Sequence, residues 1–289
     1  MDRQDNVVWG CIFTVLATLM FGIMAAAGKV LTVEHHPAQI VFYRYGIPLL
    51  PILFFMLWRR DKDLFFTVKP RTLLLRCICG VGAMGMHVAA LMYLPIADEK
   101  VISFGASLFA PLIAYFILKE YIGIQRWIAI AIGFVGVVLI AGPTGNLHAL
   151  GVSFALCAAV MDAGMITTLR YLKTENALTI TFYLCLFGVL SSGLLFMPFV
   201  ATPFETIKEI WLIVLIALTG VLAQLFMTYA SRLAPSSIVA PFMYSALIWA
   251  ILFDVFIWSK MPSYIVFVGA FIIMAANLFI LYRERFHAK

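Results

Sequence analysis

The chain has 289 residues, 64% of them hydrophobic and 12% charged, with a mean hydropathy of +1.04. A composition this apolar excludes a soluble globular domain. The net charge of +6 needs no nucleic acid to explain it, because a membrane protein carries lysine and arginine on one side to set its topology.

A helix needs about 20 apolar residues to cross a bilayer core of about 30 Å, and ten such runs follow one another, bounded by charge, proline or glycine. The first, 7 to 31, is preceded by Asp2, Arg3 and Asp5. It lacks the positive n-region of a cleaved signal and is too long for an h-region, so it reads as a span even though Ala25, Ala26 and Ala27 near its end follow an apolar stretch. The second, 38 to 58, carries Arg44 within snorkelling reach of the outer face. The third, 72 to 94, carries His87, and the fourth, 98 to 118, carries Ser103 and Ser107. The fifth is 124 to 141. The sixth, 147 to 172, holds Asp162 near its middle, and the seventh is 177 to 200. The eighth, 207 to 231, carries Gln224; the ninth, 235 to 257, carries Tyr244 and, near its outer end, an interfacial Asp254; the tenth, 263 to 283, carries Asn277. Trp9, Trp58, Trp127 and Trp258 sit near span ends, as an aromatic belt would.

With a cytoplasmic N-terminus, fifteen lysines and arginines fall on the cytoplasmic side, Arg76 among them, and four (Lys29, Lys100, Lys208 and Lys260) on the other. Both termini are therefore expected in the cytoplasm, with the short gaps between spans leaving no room for a soluble domain. The five cysteines all fall inside spans and are odd in number, which reads as packing rather than as a disulfide or zinc framework. No HExxH, GxSxG or Walker loop occurs, and Glu34-His35-His36 lies in a short outer loop without further metal-ligand spacing. No cofactor, metal or enzymatic chemistry is expected, and without a nucleotide loop the drive must be a gradient or exchange.

Shifting the chain by 140 residues sets GVGAMGMHVAALMYLP (80 to 95) on GVLAQLFMTYASRLAP (220 to 235), and VFY (41 to 43) on TFY (181 to 183). The first span maps onto the sixth with a shift of 141, pairing Gly10 with Gly151 and Glu34 with Glu175. The chain thus reads as a duplicated five-span unit, 1–145 and 146–289. Five is odd, so the second copy enters the membrane from the opposite side. Inverted repeats of this kind recur in secondary transporters, where two equivalent halves exchange inward-open and outward-open states around a central site.

The run ISFGASLFAPLIAYFILKEYIGIQRWIAIAIGFVGVVLI (102 to 140) and FYRYGIPLLP (42 to 51) resemble the EamA branch of the drug/metabolite transporter superfamily. Within it, Arg44, Arg76, the ISF and QRW runs and Asp162 are similar to the S-adenosylmethionine uptake carriers of obligate intracellular bacteria. Ser259-Lys260 at the end of the ninth span and Met243 depart from the pattern. The resemblance implies ten transmembrane helices and carriage of a small organic metabolite, with S-adenosylhomocysteine as the exchange partner. An amino-acid, riboflavin or drug exporter is the rival within the superfamily; a channel or an intramembrane enzyme is the rival outside it.

A mid-bilayer carboxylate costs about 2.5 to 3.5 kcal/mol on insertion scales, so Asp162 must face a cavity or a partner. Its repeat counterpart is Phe21, so packing symmetry does not call for an acid there. The expected site has a cation on Asp162 with aromatic help from Phe21 or Tyr244. A carboxylate lies on Arg44, His87 is a candidate proton relay, and Ser103, Ser107 and Gln224 are further polar residues. The cavity is expected between spans one, three, four, six, eight and nine, in a bacterial inner membrane, with a homodimer left open.

Overall fold

The computed structural model describes residues 3–59, 62–109, 112–113, 124–141, 148–172, 175–234 and 236–287. Its helices in chain order are α1 Arg3–Leu31, α2 Pro37–Arg59, α3 Pro70–Leu91, α4 Ile96–Ser103, α5 Ile124–Ala141 and α6 Ala149–Tyr171. There follow α7 Ala177–Leu195, α8 Ile207–Leu233, α9 Ser236–Met243, α10 Ser245–Trp258 and α11 Tyr264–His287, with single helical turns at Lys62–Phe65 and Met197–Val200. No strand occurs among the described residues. Seven of these segments are long and apolar enough to cross a bilayer, and Trp127–Leu139 and Tyr264–Ile280 are shorter apolar stretches. The expected fourth span is described only as far as Phe109 and at 112–113, so its second half lies outside the described residues.

Helix starts follow local chemistry. Pro70 opens α3, where its missing N–H costs nothing. Asn176 accepts the Leu178 N–H ahead of α7, and Thr206 accepts the Glu209 N–H while its hydroxyl donates back to the Glu209 carboxylate, a reciprocal box that starts α8.

The packing repeats the duplication. α1 lies along α8 as α6 lies along α3; α2 meets α8 as α7 meets α3; α1 packs on α9 and α10 as α6 packs on α4. The pairs α2 with α7, α5 with α11, and α4 with α10 each map onto themselves, as a pseudo-two-fold axis requires. Individual contacts obey it too. A Cβ on Gly10 would stand 2.6 Å from Ala234 Cβ, and one on Gly151 would stand 2.8 Å from Leu94 Cγ, two equivalent antiparallel crossings that only a small residue allows.

The fourth and ninth spans are both interrupted at equivalent places. α4 ends before Phe104, and α9 ends before Tyr244, where a bond from Tyr244 N to Pro241 O tightens the ladder. The two rings at these breaks meet edge-on with centroids 5.0 Å apart. Broken helices near the membrane midplane are how many transporters build their binding sites.

Asp254 is the main correction to the sequence reading. It is fully buried within the bundle rather than exposed at the end of its span, and its two oxygens accept the N–H groups of Ile96 (3.0 Å) and Ala97 (2.7 Å), capping α4 from another repeat. A carboxylate at a helix N-terminus meets unpaired donors and the positive end of the helix dipole. Lys29 completes the group, donating to Leu94 O at 2.7 Å and standing 3.7 Å from Asp254 Oδ1 and 5.0 Å from the Trp258 ring centroid.

Candidate functional site

Asp162 is placed by helix geometry. On α6 the exposed residues Ser153, Cys157 and Val160 form one stripe, and at about 100° per residue Asp162 falls on the opposite face. It points inward to α3 and α4. His87 Nε2 lies 2.8 Å from Asp162 Oδ2, and His87 Nδ1 lies 2.6 Å from Glu99 Oε1. Ser103 Oγ donates to Glu99 Oε1 at 2.5 Å, and Lys100 Nζ stands 3.7 Å from Glu99 Oε2. Three helices thus converge on one hydrogen-bonded chain, Asp162 to His87 to Glu99 to Ser103.

Its protonation follows from donor and acceptor counts. Both His87 nitrogens contact carboxylate oxygens, so each contact must hold a proton. Whether those protons sit on the ring or on a carboxyl group, the three groups together carry a single negative charge. Glu99 is closed off, with 2% of its side chain exposed, whereas Asp162 keeps 23% and His87 20%. Asp162 Oδ1 has no hydrogen bond to any described residue. The open oxygen can accept a cation or a proton, and the buried chain behind it can hold the carboxylate in place.

A second polar neighbourhood lies between α2 and α8. The Arg44 guanidinium rests on the bare backbone of Gly220, where a Cβ would stand 2.9 Å from Arg44 Cζ, and it lies 4.9 Å from the Tyr45 ring centroid. Arg76, counted with the cytoplasmic charges in the sequence, is buried in α3 at 4% exposure.

The other residues singled out in the sequence are dispersed. Phe21 is half-buried on α1, and no described contact links it to Asp162. Tyr244 is at the α9–α10 break against Phe104. Ser107 is exposed and donates to Phe104 O at 2.6 Å. Gln224 is on the exposed face of α8. Asn277 Nδ2 reaches Phe104 O at 3.5 Å. Sequence reasoning missed Glu99, whose signal was an acid inside an expected span, masked by its place in the Asp98-Glu99-Lys100 run.

It also missed a partner for the histidine in the loop between α1 and α2. His35 Nε2 meets Glu209 Oε2 at 3.0 Å and its Nδ1 meets Thr202 Oγ1 at 2.7 Å. Glu34, His35 and Glu209 bring possible metal-ligating atoms within 4.8 Å of one another. Both ring nitrogens are satisfied there without an ion.

The fold and these sites can be set beside known proteins. The EamA-like transporter family matches the chain twice, over residues 8–142 and 149–282. An S-adenosylmethionine uptake transporter of Rickettsia prowazekii is 26% identical over 285 residues, covering 98% of this chain and 96% of its own. An uncharacterized transporter of Helicobacter pylori is 27% identical over 289 residues, covering 96% of each. A pseudopaline exporter of Pseudomonas aeruginosa is 25% identical over 275 residues, covering 94% and 95% respectively. A solved crystal structure superposes with a TM-score of 0.65 at 16% identity, covering 99% of this chain and 100% of its own, a likeness of fold. Matched in both of its halves, this multi-pass membrane chain is a transporter rather than an enzyme, and it belongs to the EamA-like transporter family.

Proposed function

We propose that the chain is a secondary carrier that takes up S-adenosylmethionine in exchange for S-adenosylhomocysteine. It resides in a bacterial inner membrane with both termini cytoplasmic, and its halves, residues 1–145 and 146–289, rock about the Phe104–Tyr244 contact. The observation that carries this reading is Asp162: an inward-facing carboxylate at mid-span, braced by His87 and Glu99, with one oxygen left open. A sulfonium or ammonium group has no proton-accepting partner to offer the protein, so a fixed negative charge is the natural means of holding it in a site of low dielectric. The site residues are Asp162 and His87 with Glu99 and Ser103 behind them, Arg44 for the substrate carboxylate, and Tyr244 and Phe21 as aromatic residues for the cation that lie apart from Asp162 in this conformation. Relatives named for S-adenosylmethionine uptake support the substrate. Exchange fits because S-adenosylhomocysteine differs from S-adenosylmethionine by the methyl group and its positive charge.

The test is uptake of labelled S-adenosylmethionine into proteoliposomes, with and without internal S-adenosylhomocysteine, for native protein and Asp162→Asn. Saturable uptake stimulated by preloading and reduced at least tenfold in the variant is expected. Absence of uptake by folded native protein would reject the substrate and leave the carrier. A relative named as a pseudopaline exporter favours efflux of an organic metabolite as the second reading, and outward counterflow from the same vesicles separates the two.

A further inference from the structure

Arg76 has no hydrogen-bond or ion-pair partner among the described residues, and its Nε and Nη1 are sealed from solvent. The guanidinium reaches along α3 toward Gly80, where a Cβ would stand 3.4 Å from Arg76 Nη1, 3.4 Å from Met165 Sδ and 3.0 Å from Leu184 Cδ1. Its tip therefore lies in the seam where α3 packs on α6, at the level of Met165. Asp162 lies three residues earlier on α6, about one helical turn or 5 Å along the same seam. No carboxylate meets this buried guanidinium at hydrogen-bond or ion-pair distance among the described residues; a charge buried in that way carries a heavy electrostatic penalty, and a bundle tolerates one where a bound anion can complete the pair. The repeat gives the same indication. Gly80 and Gly220 are equivalent positions, and each has a guanidinium against it, Arg76 on one and Arg44 on the other.

Arg76 cannot be replacing a structural partner lost from the other repeat, because its counterpart there is Ile216, a fully buried apolar residue. Asp162, one turn along the seam, has its Oδ2 engaged by His87, and no hydrogen bond or ion pair joins it to Arg76 among the described residues.

We infer that Arg76 is the anion-binding half of the transport site. The chain would then select amphoteric organic molecules whose cation meets Asp162 and whose carboxylate meets Arg76, about one helical turn away. The inference rests on the reading of Asp162 as a substrate residue and adds a determinant of substrate class to it. Arg44, seated on α8, is a second guanidinium for the same carboxylate or for another on a larger substrate. Arginine suits the task because its fork pairs with a carboxylate through two parallel bonds and never loses its charge.

Two measurements test it on full-length protein. The first is thermal unfolding in detergent, without ligand, of native protein, Arg76→Met and Arg76→Lys. A ligand-binding guanidinium is a burden on the empty protein, so Arg76→Met should unfold at or above the native temperature. A fall of several degrees in Arg76→Met, restored in Arg76→Lys, would make Arg76 a structural residue and overturn the inference. The second is competition of unlabelled S-adenosylmethionine and of its decarboxylated analogue against labelled S-adenosylmethionine in proteoliposomes. Native protein should prefer the carboxylated compound by tenfold or more, and Arg76→Met should treat the two alike. A preference that survives in Arg76→Met also overturns the inference. If native protein takes up no S-adenosylmethionine, the substrate named above fails, while the ligand-free unfolding temperatures still decide the role of Arg76.

Discussion

His87 is the residue on which the candidate site depends. Asp162 alone on α6 would be free to change rotamer or to take up a proton and lose its charge. The bond from His87 Nε2 fixes one carboxylate oxygen at 2.8 Å, and Glu99 fixes the ring from its far side at 2.6 Å. Replacing His87 with glutamine leaves an amide donor for one carboxylate and removes the second ring contact. Loss of one charge-assisted hydrogen bond is worth about 1.5 to 3 kcal/mol, so His87→Gln should lower the initial rate of uptake by about tenfold or more. Uptake at the native rate would reduce the Asp162–His87–Glu99 chain to a packing feature. Asp162, His87 and Ser103 could be picked out in the sequence because each is polar within an apolar run. Glu99 could not, and Arg76 stood out only through a resemblance while its charge was counted as cytoplasmic, both for one reason. Each stands beside further charges at a span border, Asp98 and Lys100 for the first and Arg71 for the second, and charge at a border reads as solvated. Only packing shows that the first turns of α3 and α4 are already inside the bundle.

At the scale of an element, α4 illustrates how a helix can depend on a distant residue. It is eight residues long, too short to be stable alone, and its preceding residue, Pro95, supplies no side-chain cap. Asp254 supplies it from α10, 158 and 157 positions away in the chain, and Lys29 from α1 balances the charge. Asp254→Ala would strand two buried N–H groups and a half-buried ammonium at once. Capping and buried-pair losses of this kind suggest a cost of about 3 kcal/mol, to be read as a lowered unfolding temperature in detergent. Asp254→Asn, which keeps an acceptor, should lose less. Equal stability of all three proteins would mean that α4 is held by its apolar contacts alone. The sequence read Asp254 as an interfacial residue because only its own helix was considered, and its role as a cap for α4 was missed. A cap provided across the bundle leaves no local signature, whereas those of α7 and α8 do, since Asn176 and Thr206 stand directly before the helices they cap.

Across the whole molecule the duplication was the most legible feature, since a shift of 140 in sequence reappears as an exchange of packing partners between α1–α8 and α6–α3. The same symmetry places equivalent fasteners at the two ends of the bundle. At the Lys29 end, Gln39 Nε2 donates to Thr202 O at 2.7 Å, and His35 bridges Thr202 and Glu209. At the Lys69 end, the counterpart of Gln39 is Thr179, whose hydroxyl donates to Leu64 O at 2.7 Å, while Glu175 accepts the N–H groups of Val68 and Lys69. Each set ties the entrance of α2 or α7 to the segment leading into α8 or α3. In a carrier that opens at one end at a time, each set is intact only while its own end is closed. A perturbation that weakens one set must therefore shift the population toward opening at that end. His35→Ala with Gln39→Ala should raise, and Glu175→Gln with Thr179→Ala should lower, labelling of a Ser103→Cys thiol by an impermeant maleimide applied from the Lys29 side, in a background without the native cysteines. Opposite signs are required by the symmetry. Shifts in the same direction would show that the two ends do not compete for one equilibrium, and the rocking of two halves would have to be given up.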